Sequence, residues 1–301
     1  MEKSLLQQFA EKKDKSKVQE FYEKALDILT HALTDMTSKS VKNSNILQED
    51  STKIFPMGDY TNDTFIDQTG ELEIVIASSN PQLIMANKIF SKSFLVAKTK
   101  KQKEKLLNDG TYDKIIADLI NSLLPYFDVK TTLMIVNEGI KIFCIEEYGF
   151  KILIRFATYN IDDEDAILYF WDYFLKKSTP ANLFLYNEKI EEKDSETKGN
   201  YKRLVRIFKN IRKNILINKW ATSSALNKYF IELICYNIPN SLLQDNDLNL
   251  LFIKAVNYLD NCNVQDFVSF DARRIETFYF AKINYENILN FTKYLLKISY
   301  D

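Results

Sequence analysis

Glu71 and Glu73 are two acids whose spacing suits the chemistry of a metal ion. They lie in the segment ELEIVI, where charged and apolar residues alternate as the two faces of a β-strand alternate. Acids at i and i+2 on a strand point the same way and lie about 6.5 to 7 Å apart along the chain. Such a couple repels itself unless it is exposed, metal-bound or partly protonated, and it is spaced to share one or two hard cations.

A short apolar run that ends in Gly58 precedes these acids at a fixed distance. Thr64 follows Gly58 by six residues, and Glu71 follows Thr64 by seven. The stretch resembles the active-site signature of the polymerase-β-like nucleotidyltransferases, a G-S-Y-x-x-x-T turn followed by D-x-D on a strand. It is most similar to the branch of the bacterial cyclic-oligonucleotide synthases (CD-NTases) and the oligoadenylate synthases. The matching residues are Gly58, Tyr60, Asn62, Thr64 and the apolar strand at residues 74–76.

The likeness fails at the positions where the family does its chemistry. Asp59 stands where the family has Ser, and Glu71 and Glu73 stand where it has two Asp. A third carboxylate is expected on a later strand just before Ala157, which puts it at Leu153. Residues 151–158 contain no acid, so a shift of one or two positions does not restore it.

Two segments in the second half of the chain carry an independent resemblance to the same branch. The segment YKRLVRIFKNIRKN resembles its helix with a triphosphate-binding lysine, and this lysine is Lys209. The segment KYFIELICYNIP resembles its buried S-[YF]-L-I-E-x-L-x-Y-N-[VI]-P segment, with Lys228 in place of Ser. The resemblance implies catalytic and metal-binding roles for Glu71 and Glu73, with Mg²⁺ or Mn²⁺ as the metal if the site is active. It implies nucleotide-binding roles for Gly58, Asp59, Thr64, Lys209 and Lys228.

The composition of the chain argues against several classes of function. The chain has 301 residues, of which 46% are hydrophobic and 27% charged, as in ordinary globular proteins. A net charge of -1 predicts no general electrostatic affinity for nucleic acid or anionic membranes. No apolar run approaches the roughly 20 residues of a membrane span, and the charged start is unlike a secretory signal, so we expect a cytoplasmic protein. With His31 as the only histidine, a catalytic triad built on histidine is nearly excluded.

The residue pattern and the resemblance together predict an α+β fold. We expect a mixed, mostly antiparallel sheet with flanking helices at residues 1–158, as the nucleotidyltransferase-like core, and a helical C-terminal lobe at residues 159–301. Helical periodicity predicts helices at residues 18–36 and 112–124. Strands are predicted at residues 132–136, 140–145 and 150–156. Residues 160–177 are predicted as a loop leading into a helix that carries Trp171, and the polar residues 188–200 as a loop or linker.

Two functions remain open at this point. In the first, the protein is a nucleotidyltransferase-fold protein with a degenerate catalytic site that acts by binding a nucleotide or a protein partner. In the second, it is an active Mg²⁺- or Mn²⁺-dependent nucleotidyltransferase that uses nucleoside triphosphates, as cyclic-oligonucleotide synthases do. Relatives in this branch often belong to antiviral systems, and the resemblance implies such a context under either function.

Overall fold

The chain divides into two compact units in a computed structural model. The structure describes residues 4–12, 16–39, 52–66, 71–79, 120–126, 132–136, 139–144, 150–159, 167–172, 177–217, 228–263, 266–270, 291 and 295. The sheet unit comprises Asp14–Tyr60 and Asp67–Leu183. The helical unit comprises Met1–Lys13, Thr61–Ile66 and Phe184–Asp301.

Helices and strands follow one another along the described residues in an α+β order. They are α1 (Leu5–Ala10), α2 (Ser16–Lys39), β1 (Thr52–Met57), β2 (Glu71–Ser78), β3 (Thr132–Val136), β4 (Gly139–Cys144), β5 (Phe150–Tyr159), β6 (Leu168–Asp172), β7 (Lys177–Ala181), α3 (Leu183–Glu196), α4 (Asn200–Ile217), α5 (Lys228–Tyr236) and α6 (Leu248–Asn261). Short 3₁₀ helices lie at Leu124–Tyr126 and Asn240–Leu242. No helix among the described residues is long and apolar enough to cross a membrane.

The seven strands form one mixed sheet. The order is β1-β2-β5-β4-β3, and β6 joins the last three residues of β5, beyond the part that pairs with β4. Strands β2 and β5 run parallel, and every other pair is antiparallel. Both the predicted fold class and the predicted character of the sheet are confirmed.

Alternation along the central strands separates an apolar face from a charged one. Leu72, Ile74 and Ile76 of β2 are almost completely buried, as are Ile152 and Ile154 of β5. Because successive strand residues point to opposite faces, Glu71 and Glu73 lie on the face opposite these residues. Helix α2 has its own apolar stripe, in which Val18, Phe21, Ala25, Leu29, Ala32 and Leu33 are buried, and this confirms the helix predicted at residues 18–36.

The helical unit has a separate apolar core. Tyr201, Phe208 and Phe252 are almost fully buried in it, and the rings of Phe208 and Phe252 meet edge to face with centroids 6.0 Å apart. Aromatic pairs of this geometry add about 0.5 to 1.5 kcal/mol beyond burial of their area. The predicted helical C-terminal lobe is therefore present, and it places Lys209 and Glu232 on packed helices α4 and α5.

The helix predicted around Trp171 is wrong, because residues 168–172 and 177–181 are strands β6 and β7. In β6, Leu168 and Phe170 are buried while Tyr169 between them is half-buried, which is the period of a strand. Aromatic residues favour this environment. Pro180 is tolerated because β7 pairs only with β6 among the described strands, and an edge strand can lack one donor.

The loop predicted at residues 188–200 is also wrong, because α3 continues to Glu196 and α4 begins at Asn200. The join is a Schellman motif: the N–H of Gly199 donates to Asp194 O at 2.8 Å, and the N–H of Lys198 donates to Ser195 O at 3.1 Å. Lys198 takes the left-handed conformation that this motif requires, with φ +54°. The polar residues therefore belong to the end of α3 and its C-terminal turn rather than to a linker.

The predicted strands at residues 132–136, 140–145 and 150–156 are confirmed, although β5 extends to Tyr159. Of the helix predicted at residues 112–124, the part before residue 120 lies outside the described residues. The described part is helical and passes into the 3₁₀ helix Leu124–Tyr126, so Pro125 lies inside helical structure instead of ending it.

Candidate functional site

The turn after β1 brings Gly58 against the acidic strand. Gly58 has φ +74°, a conformation that residues with a side chain rarely adopt. A Cβ atom at this position would lie 3.1 Å from Oε1 of Glu73. The sequence-predicted Gly58 and Glu73 are thus neighbours in the sheet unit, and glycine is needed both for the turn and for the space that the carboxylate occupies.

Glu71 and Glu73 share one face of β2, as their spacing predicts. Both are half-buried, and the side chain of Leu72 between them is buried on the other face. In the parallel register with β5, Glu71 is the Cα partner of Lys151 and Glu73 is the Cα partner of Leu153. Leu153 therefore stands beside the acidic pair, in the place that the resemblance assigns to a third carboxylate.

Two cations that the sequence reading did not single out lie at this acidic pair. Lys141 Nζ is 2.5 Å from Glu71 Oε2, and Arg155 Nη1 is 3.8 Å from Glu73 Oε2. All four side chains are only 18 to 26% exposed. Lys141 comes from β4 and Arg155 from β5, so these pairs depend on the strand register, which the sequence alone does not provide.

These residues do not fit a two-metal site. The described part of the chain contains no group of three or more His, Cys, Asp or Glu side chains that could hold a metal ion. Mg²⁺ requires near-octahedral oxygen ligands, and Leu153 offers none. The two carboxylates that remain have cationic partners of their own at Lys141 and Arg155.

A buried polar cluster in the helical unit joins Thr64, Lys209 and Glu232. Lys209 Nζ donates to Glu232 Oε1 at 2.6 Å and to Thr64 Oγ1 at 2.8 Å, and Thr64 Oγ1 donates to Glu232 Oε1 at 2.6 Å. The hydroxyl of Tyr186 donates to the other oxygen, Glu232 Oε2. Lys209 and Glu232 are 2% and 1% exposed, so this is a fully buried ion pair. Two predicted nucleotide-binding residues, Thr64 and Lys209, therefore meet.

The remaining signature residues have different surroundings. Asp59, in the sheet unit, and Asn62, in the helical unit, are both buried, and Asn62 Nδ2 has no hydrogen-bond partner among the described residues. Lys228 is the first residue of α5, four positions before Glu232. The nucleotide-binding roles of Asp59 and Lys228 stay predictions.

Arg206 is a further buried cation that sequence reading missed. Its Nη1 donates to Asp63 O at 2.8 Å and its Nε donates to Ala10 O at 2.8 Å, within the helical unit. Burial lowers the pKa of Arg206, although the nearby carboxylates Asp194 and Asp63 oppose that change. Arg206 therefore fixes the backbone of the segment that carries Thr64. Arg206 lies on the same amphipathic helix as Lys209, and this was the sequence feature that could have pointed to it. The charged side chains of a basic helix, however, more often lie in solvent.

Lys193 of α3 gives the helical unit a pH-dependent stability. Its Nζ donates to Ile238 O at 2.6 Å, and burial lowers its pKa from 10.5 to about 8. Between pH 8 and 10.5 the unfolded chain binds more protons at this residue than the folded chain does, so the lysine's contribution to stability rises with pH. Relative to Lys193→Met, wild type should gain about 3 kcal/mol of unfolding free energy across this window.

Denaturant titrations of both proteins at several pH values from 7 to 11 measure this gain. Groups that titrate alike in the two proteins cancel in the difference between wild type and Lys193→Met. The difference should be flat below pH 8 and above pH 10.5. A difference that stays constant across the whole range would show that Lys193 keeps an ordinary pKa in the folded protein.

Comparisons with known proteins agree with this architecture. The family model of the cGAS/DncV-like nucleotidyltransferase C-terminal helical domain matches residues 188–276. The chain is 26% identical over 211 residues to the cyclic nucleotide synthase CdnE01 of Staphylococcus haemolyticus, covering 67% of this chain and 68% of that protein.

Solved structures share the fold at low sequence identity. The Rhodothermus marinus CdnE c-UMP-AMP synthase with Apcpp and Upnpp superposes with a TM-score of 0.65 and 18% identity, over 99% of this chain and 97% of that one. CdnC of Escherichia coli MS115-1, in its complex with HORMA-deltaN, superposes with a TM-score of 0.60 and 13% identity, over 95% and 86%. The chain therefore contains a C-terminal helical domain of the cGAS/DncV-like type, is homologous to a cyclic nucleotide synthase and shares the fold of such enzymes, which confirms the predicted resemblance.

Proposed function

We propose that the protein is a catalytically impaired CD-NTase-like protein that acts by binding a nucleotide or a protein partner. The observation that carries this proposal is the pairing of Leu153 with Glu73 across β2 and β5. Leu153 is 5% exposed and lies in the place where the resemblance expects the third carboxylate.

The chemistry explains why this one position matters. Nucleotidyl transfer requires an in-line attacking hydroxyl, a held triphosphate and metal ions that stabilise the attacking and leaving oxygens. The third acid of the family helps to bind the catalytic metal and to draw the proton from the attacking hydroxyl. An aliphatic side chain does neither, and lost positioning of this kind commonly costs a factor of about 10² or more in rate.

Asp59 adds to the impairment. The serine of the family donates a hydroxyl hydrogen bond to a phosphate oxygen. An ionised aspartate is an acceptor only and repels a phosphate, so Asp59 weakens this part of a triphosphate site.

Two kinds of ligand are consistent with the scaffold. The similar Rhodothermus marinus structure holds the nucleotide analogues Apcpp and Upnpp, and the similar CdnC structure is a complex with a HORMA protein. By likeness we propose a nucleoside triphosphate or a protein partner for this chain. Calorimetric titration with ATP and GTP, each with and without Mg²⁺, distinguishes them, because a chain that binds neither nucleotide points to the protein partner.

Product formation tests the proposal directly. Purified protein with all four labelled nucleoside triphosphates and Mg²⁺ or Mn²⁺ should form no more product than Glu73→Gln under the same conditions. Thin-layer chromatography of the labelled products measures this, and thermal unfolding shows that the variant is folded. A wild-type product that Glu73→Gln lowers by about 10²-fold would contradict the proposal.

An active Mg²⁺- or Mn²⁺-dependent nucleotidyltransferase is the second candidate. The identity of 26% with a cyclic nucleotide synthase favours it. Glu71 and Glu73 would then have to serve as metal ligands after release from Lys141 and Arg155, with an acid from elsewhere in the chain. The same product assay decides between the two functions.

A further inference from the structure

We propose that Lys141 and Arg155 take the place of the divalent metal ions at Glu71 and Glu73, so that the acidic pair binds no metal. This inference rests on the proposed function, because it explains how a degenerate site keeps two adjacent acids. Two carboxylates on one strand face repel each other unless a cation neutralises them. Here the protein supplies those cations itself, at 2.5 Å from Glu71 and 3.8 Å from Glu73.

The strand register shows how Lys141 reaches the acid. Lys141 of β4 pairs with Leu153 of β5, which pairs in turn with Glu73 of β2. Lys141 is thus two strands away from β2, about 10 Å by strand spacing. Its Nζ nevertheless meets Glu71 Oε2, so a long lysine and a long glutamate close the gap across β5. An Asp at position 153 would lie between them and compete for the ammonium group, whereas Leu153 does not.

The second cation is held from several sides. The guanidinium of Arg155 lies over the ring of Phe170, 4.5 Å from its centroid, and Nη1 is 3.9 Å from Met57 Sδ. These contacts fix Arg155 beside Glu73 even though the two side chains are not hydrogen-bonded at 3.8 Å. Phe170 and Met57 also belong to the apolar cluster of this sheet face, so the arginine is packed rather than solvated.

Charge balance argues against a metal at the same place. The two positive charges of Lys141 and Arg155 offset the two negative charges of Glu71 and Glu73, and Lys151, the Cα partner of Glu71, adds a third cation on the same sheet face. A divalent ion would have to displace Lys141 from Glu71 and lie close to two other cations. Because the side chains of the two ion pairs are only 18 to 26% exposed, salt screens this repulsion less than it does on an open surface.

The test is a titration of the full chain with Mn²⁺ in the absence of nucleotide, followed by electron paramagnetic resonance of the free ion. Wild type and Glu71→Gln/Glu73→Gln should bind Mn²⁺ equally weakly. Lys141→Gln/Arg155→Gln frees the two carboxylates and should bind one Mn²⁺ at least about 10-fold more tightly than wild type. Adding Glu71→Gln and Glu73→Gln to that variant should remove the gain.

A matched control separates the site from net charge. Lys189→Gln/Lys254→Gln removes the same two charges from the exposed pairs with Glu192 and Asp245, and it should leave Mn²⁺ binding unchanged. Stoichiometric Mn²⁺ binding by wild type that Glu71→Gln/Glu73→Gln abolishes would overturn the inference, and this result needs no destabilised variant. Metal binding without product would leave the proposed function standing, whereas product formation would overturn the proposed function by itself.

Discussion

Replacing Lys209 with methionine is expected to lower the free energy of unfolding by about 3 to 5 kcal/mol. The substitution leaves the carboxyl group of Glu232, which is 1% exposed, without the ammonium group that lies 2.6 Å from its Oε1. Hydrogen bonds from Thr64 and Tyr186 remain, but neutral hydroxyl groups do not compensate a buried charge. Chemical denaturation at pH 7 measures the loss.

Two control variants identify the cause of this loss. Lys209→Met/Glu232→Gln removes both charges and should recover at least about half of the lost stability, because a buried pair replaced as a whole is often nearly neutral. Lys254→Met breaks the exposed pair with Asp245 and should cost far less, because exposed ion pairs contribute little to stability. A Lys209→Met variant as stable as Lys254→Met would show that the buried pair contributes no more than a surface pair.

The buried pair also bears on nucleotide binding. The resemblance implies that Lys209 binds a triphosphate, but the ammonium group of Lys209 already donates hydrogen bonds to Glu232 and Thr64. A phosphate that recruits Lys209 must therefore compete with a carboxylate in a site without solvent. This competition adds to the effect of Asp59, and both support the proposal of an impaired site.

Sequence reading predicted the parts of the site that are local in the chain. The turn at Gly58 and the alternation in ELEIVI depend on residues a few positions apart, so spacing alone identifies them. The position of Leu153 could also be predicted, since a parallel strand of the family fold carries it beside the acids. The register of Glu73 with Leu153 agrees with that expectation.

The cations at the acidic pair could not be predicted in the same way. Lys141 and Arg155 approach Glu71 and Glu73 only because β4, β5 and β2 pair in one register, and a shift by one residue would place them on the other face. Each is an unremarkable charged residue within an apolar strand. Tertiary pairing, rather than residue type, decides their role.

The two wrong elements have a common physical origin. When only local composition is considered, the polar residues 188–200 suggest a loop and the aromatic stretch around Trp171 suggests a helix. The Schellman motif at Lys198 and Gly199 and the pairing of β6 with β5 are hydrogen-bond patterns that composition does not encode. Neither error involves the acidic strand β2 itself, whose strand character follows from local alternation.

Replacing Gly139 with alanine is expected to destabilise the sheet unit by about 3 kcal/mol or more, from backbone strain and overpacking together. Gly139 has φ +147°, and an added Cβ atom would lie 1.9 Å from the backbone oxygen of Ile154. That oxygen belongs to the central strand β5 and cannot move without disturbing Arg155, the cross-strand partner of Gly139.

Gly199→Ala is the matched control for Gly139→Ala in the same denaturation experiment. Gly199 also has a positive φ, of +83°, but an added Cβ atom would meet no other atom within 4 Å. Gly199→Ala should therefore lower the free energy of unfolding only by the cost of the left-handed conformation, about 1 to 2 kcal/mol. Equal losses for the two variants would contradict a steric conflict at Gly139. A larger loss at Gly139 would show that β4 approaches β5 there too closely to admit a side chain.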